Sequence, residues 1–132
     1  MTPELTMLAC TLVLALLQIL LPALLRTLET GPQYNMGTRD SAGPPVGKVT
    51  GRLQRAQANL FETLPLFATA VLIVHVTAQE SALTLYGAAL YLAARVLYLP
   101  LYAFGIPVVR TLVWCVSVAG LLMLYWAILF AS

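Results

Sequence analysis

Four polar side chains open one long apolar run: Arg52, Arg55, Asn59 and Glu62, at positions i, i+3, i+7 and i+10. At about 100° per residue they share a helical stripe roughly 80° wide, and Leu60, Leu64 and Phe67 fall off it. A second stripe, Tyr91, Arg95, Tyr98 and Tyr102, follows the i, i+4, i+7, i+11 spacing of one helix face. A third puts Arg110, Trp114 and Ser117 on one face, with Thr111 beside it. Ionisable side chains within apolar segments are costly, so they face a partner, a cavity or a substrate path. Several guanidinium groups and a single carboxylate around one pocket select a small anion, and the carboxylate can take an ammonium group of the same ligand. Arginine suits this work because it stays charged and grips carboxylates with two parallel hydrogen bonds.

Each of these residues also has a plainer reading. Arg52 and Arg55 can snorkel to headgroups, and the tyrosines can form an interfacial belt. Asn59 and Glu62 can be glue inside the bundle, paired with Arg55 or Arg95. His75 reads as an interface histidine. Cys10 and Cys115 both lie in apolar segments and read as small packing residues. No CxxC or Cys/His spacing points to a disulfide framework or a metal, so thiol chemistry needs a thiol from outside. What favours a pocket is coincidence: three segments each place a polar stripe at one depth on one side.

The elements that must position these stripes follow from composition. The chain has 132 residues, 61% hydrophobic and 9% charged, with a mean hydropathy of +0.89. A soluble domain of this length cannot hide so much apolar surface in one core. An all-α integral membrane domain is expected, with spans from about Leu5 to Leu28, Arg52 to Ala78, Ala82 to Ala103 and Pro107 to Phe130. Pro22 and Pro65 are expected to kink the first two, and Pro107 takes the favoured first-turn position of the last. Glu29 to Gly51, rich in Gly and Pro, reads as the one long loop. The start, Met-Thr-Pro-Glu, lacks the basic region of a secretory leader, so the first span is expected to be retained. Arg26, Arg39, Lys48, Arg52 and Arg55 lie in or beside the long loop, and Arg95 and Arg110 flank the last turn. The positive-inside rule then puts the long loop in the cytoplasm and both termini on the opposite side (of the inner membrane, in a bacterial cell). The cations are dispersed rather than clustered, which argues against a nucleic-acid partner.

The segment Arg52-x-x-Arg55-Ala-Gln-Ala-Asn59-x-x-Glu62-x-x-Pro65-Leu-Phe closely resembles the second-helix signature of the MAPEG family, the membrane-associated proteins of eicosanoid and glutathione metabolism. Gly31-Pro32-Gln33-Tyr34, Arg95-x-x-Tyr98-x-x-x-Tyr102 and Arg110 support the resemblance. It implies a homotrimer of four-helix subunits binding glutathione between subunits, with no metal. By resemblance Arg55, Asn59 and Glu62 bind the tripeptide's polar groups, Glu62 lying near the γ-glutamyl amine, with Arg52, Arg95 and Trp114 in the same polar region. Tyr98 and Tyr102 line that site, Arg26 comes from the adjacent subunit, Arg110 holds the thiolate, and Thr111 is a hydroxyl donor beside it. The activity implied is a glutathione transferase or peroxidase acting on a hydrophobic electrophile that arrives through the bilayer. Ala58 and Trp114 stand where some branches carry arginine and tyrosine, which points away from a specialised eicosanoid synthase. The alternative is a non-catalytic lipid- or glutathione-binding protein of the same fold. A small multidrug transporter expects a carboxylate in the first span, and none lies between Leu5 and Leu28.

Overall fold

The computed structural model of the chain describes residues 1–38 and 43–130. Within them lie helices α1 (Pro3–Thr30), α2 (Gln33–Met36), α3 (Lys48–Val76), α4 (Ala82–Ala103) and α5 (Pro107–Phe130). Four of these, α1, α3, α4 and α5, are long and apolar enough to cross a membrane. The protein is therefore a multi-pass, all-α integral membrane protein. Arg39, counted above with the loop's positive charge, lies outside the described residues.

The helix ends follow their local chemistry. Thr2 caps α1 by accepting from the Leu5 N–H at 3.2 Å, with Pro3 in the first turn. Gly31, at φ 85°, ends the same helix in a conformation that costs a glycine little. At the start of α4, Ser81 and Thr84 cap one another reciprocally. Thr84 Oγ1 also lies 3.0 Å from Glu4 Oε1, tying the beginnings of α1 and α4 together; Glu4 is only 3% exposed.

Two boundaries move from the expected positions. The long connection is shorter than Glu29 to Gly51, because α1 continues to Thr30 and α3 already begins at Lys48. Gly47 is the N-cap of α3, and its N–H donates to the Glu29 carboxylate at 3.3 Å, so a side chain from the end of α1 stands where the helix start favours an anion. The short helix α2 takes up part of the connection. At its other end α3 stops at Val76 rather than Ala78, whose φ of 54° is incompatible with continuing the helix. Pro22, Pro65 and Pro100 all lie inside helices whose assignment stays unbroken.

Helices α3 and α4 occupy the middle of the bundle: α1 packs on both, and α5 packs on both from elsewhere. The core is built on α3, where Leu60, Phe67, Val71 and Val74 are wholly buried. Phe67 stacks on Tyr91 with ring centroids 4.1 Å apart, and the Tyr91 hydroxyl is satisfied by Thr63 Oγ1 at 2.9 Å. Helices α4 and α5 come into close backbone contact at Gly87 and Gly120. A Cβ on Gly120 would lie 2.6 Å from the Gly87 carbonyl oxygen, and one on Gly87 would lie 2.9 Å from that of Gly120. Leu12, Val13, Leu16, Leu17, Leu20 and Leu24 of α1 point outward, as suits a surface that meets hydrocarbon rather than water.

Candidate functional site

The first turns of α3, the last turns of α4 and the first turns of α5 meet at the end of the bundle where α1 ends and α3 begins. Between them lies a cavity of about 410 Å³, within the range of small-molecule sites. Helix α3 lines it with Arg55, Ala58, Asn59 and Glu62; α4 with Tyr98 and Tyr102; α5 with Arg110, Thr111 and Trp114.

An aromatic ladder sets the cations in place. Tyr98 and Tyr102, one helical turn apart, meet edge to face with centroids 5.5 Å apart. The Arg110 guanidinium carbon lies 4.5 Å from the Tyr102 centroid, and that of Arg55 lies 6.0 Å from it. Each contact is worth about 0.5–2 kcal/mol, depending on how far it is desolvated. One ring thus steadies the two cations that line the cavity. Glu62 brings the cavity's carboxylate and is exposed in the subunit. Among the described residues the basic group within ion-pairing distance of a carboxylate is His75, whose Nδ1 lies 3.4 Å from Glu80 Oε1 at the far end of the bundle, so Glu62 keeps its oxygens available. The Thr111 hydroxyl donates to the Pro107 carbonyl at 3.0 Å, so its one proton is already engaged and it presents lone pairs to the cavity rather than the hydroxyl donor that the resemblance implies. The Trp114 indole N–H is buried and has no partner among the described residues.

Three of the candidate residues lie elsewhere. Arg95 is fully buried behind the wall; its Nη1 donates to Asn59 Oδ1 at 2.8 Å, and its guanidinium carbon sits 4.3 Å from the Tyr98 centroid. Arg52 reaches across to the α4–α5 turn, where its Nη1 donates to the Ala103 carbonyl at 3.4 Å. Its guanidinium fills the space beside Gly105, where a Cβ would lie 2.8 Å from Cζ. Arg52 also borders a separate cavity of about 290 Å³ with Lys48 and Arg55. Arg26 is half-buried on α1 and does not line the cavity of its own subunit. Ala58, noticed in the sequence only for what it replaces, lines the cavity alongside Arg55, Asn59 and Glu62. The described residues contain no cluster of metal-ligating side chains.

Fold and cavity together define a class: a multi-pass membrane protein in which three spans border an open cavity, lined by two arginines, near one end of the bundle. Comparison with protein families gives the narrower assignment. The MAPEG family matches residues 7–130, a stretch that holds every cavity-lining residue, and the chain belongs to that family. This membership associates it with glutathione-related or eicosanoid metabolism. Comparison with curated proteins and with solved structures returns no match.

Proposed function

We propose that this protein is a membrane-bound glutathione transferase, active as a homotrimer, that conjugates hydrophobic electrophiles or reduces hydrophobic hydroperoxides. The observation that carries the reading is the placing of Arg55, Asn59, Glu62 and Arg110 around one cavity on three helices. Two guanidinium groups and one carboxylate complement a ligand with more anionic than cationic groups, as glutathione is. Arg55 and Asn59 take its carboxylate and amide oxygens, and Glu62 takes its ammonium group. Arg110, held by Tyr102, lies beside the sulfur and favours the thiolate over the thiol, which releases the thiol proton to water. The thiolate then attacks the electrophilic carbon; a C–S bond forms and the leaving group departs with its electron pair. The electrophile comes from the bilayer, and the cavity brings it to a sulfur already in place. In this reading the cavity end faces the cytoplasm, and Arg26 of a neighbouring subunit completes the site.

The test is isothermal titration of the detergent-purified protein with glutathione, alongside Arg55→Ala and Glu62→Ala, followed by turnover with a panel of electrophiles. Saturable binding that both substitutions weaken about tenfold or more is expected, together with turnover of at least one electrophile. Binding without any turnover would move the protein to the non-catalytic alternative; no binding by the folded wild type would overturn the assignment of glutathione.

A further inference from the structure

Arg95 does not face the cavity, yet both groups it holds do. Its guanidinium is 0% exposed. From behind the wall it donates to Asn59 Oδ1 at 2.8 Å and lies 4.3 Å from the centroid of the Tyr98 ring; Asn59 and Tyr98 both line the cavity. An asparagine amide has an acceptor end and a donor end, whereas arginine has donors only. Just one of the two amide orientations can therefore bond to Arg95, the one that gives it the oxygen. The NH₂ end is left to turn toward the cavity. Reversing the amide would set NH₂ against a buried cation, and Arg95 Nε and Nη2 already lack partners among the described residues. A charge-assisted bond is about twice as strong as a neutral one, so the preference is firm.

We infer that Arg95 is a positioning residue: it locks the Asn59 amide with its NH₂ toward the cavity, making that point of the wall a donor that recognises a carbonyl or carboxylate oxygen and rejects an ammonium group. The identity of the co-substrate rests on the function proposed above; the orientation of the amide does not. The electrostatics also differ from those of Arg55 and Arg110. Arg95 contributes its effect through the amide and never touches the ligand, so its loss should be felt as a loss of Asn59.

A thermodynamic cycle tests this. Glutathione affinity is measured for the wild type, Arg95→Gln, Asn59→Ala and the double variant. Arg95→Gln is expected to weaken binding about tenfold when Asn59 is present and less than about twofold when it is alanine. Equal losses in both backgrounds would overturn the inference. Asn59→Asp keeps Arg95 and its contact intact but removes the NH₂, and is expected to bind as poorly as Asn59→Ala; affinity equal to wild type would also overturn it. A ligand-free readout separates the two readings. The chain has two asparagines, Asn35 and Asn59, so asparagine-selective ¹⁵N labelling gives two side-chain nitrogen resonances, each with a pair of attached protons. Arg95→Gln is expected to move the Asn59 signal and leave that of Asn35 in place. If that happens in a protein that does not bind glutathione, the orientation stands and the co-substrate assignment falls. An Asn59 signal indifferent to Arg95→Gln overturns the orientation itself.

Discussion

Arg110 and Glu62 line one cavity from different helices and carry opposite charges, so their removal should separate binding from chemistry. Arg110→Ala is expected to lower kcat about 100-fold, the usual cost of losing one group that stabilises developing or stored negative charge, with KM for glutathione changed only a few-fold. Glu62→Ala is expected to raise that KM about tenfold and leave kcat nearly unchanged. Steady-state kinetics with a single electrophile decide between this division and a shared loss in both variants, which would remove it. The residue scale was partly legible in the sequence. The spacing of Arg55, Asn59 and Glu62 places them on one stripe, and the structure brings them to one cavity. Spacing alone could not separate Arg52 or Arg95 from that group. A stripe gives a direction around the helix, whereas the reach of a long side chain decides what it touches. Arg52 reaches across to the Ala103 carbonyl at the end of α4, and Arg95 turns into the α3–α4 interface instead of the cavity.

At the scale of elements, the pairing of α4 with α5 rests on backbone contact at Gly87 and Gly120. Even one methyl group there meets a carbonyl oxygen closer than real Cβ atoms sit. Gly120→Ala is expected to cost roughly 1–3 kcal/mol, the usual range for overpacking, and Gly120→Leu to prevent the two helices from pairing. Thermal melting in detergent, followed by circular dichroism, would register both. Because α4 and α5 carry Tyr98, Tyr102 and Arg110, a forced separation should also weaken glutathione binding although position 120 does not itself line the cavity. The capping box of α4 offers a milder perturbation: Ser81→Ala should destabilise by about 1 kcal/mol and leave affinity unchanged. The four spans themselves were legible, because long apolar runs bounded by polar or Gly- and Pro-containing turns leave few alternatives. Their ends were less so. The start of α3 depends on Glu29 reaching Gly47 across 18 positions, a contact no local pattern encodes. The end of α3 depends on the backbone turn at Ala78, where alanine gives no warning of a positive φ.

For the whole molecule, the arrangement of spans leaves much apolar surface on α1 and α5 facing outward, and Arg26 remains away from its own subunit's cavity. Native mass spectrometry from detergent is expected to show three copies. Arg26→Ala should then reduce glutathione affinity without altering that stoichiometry; a monomer with full affinity would remove the neighbour from the site. The two tryptophans occupy very different surroundings. Trp126 is 59% exposed on the outer face of α5, whereas Trp114 stands in the cavity wall with its indole N–H buried. The cavity therefore contains its own fluorophore. In a Trp126→Phe protein the remaining emission belongs to Trp114, and its intensity and wavelength should change as the cavity fills; in the wild type, quenchers dissolved in lipid should act mainly on the outward-facing Trp126. Occupancy could then be followed in intact vesicles by light alone, with no label and before any electrophile has been identified.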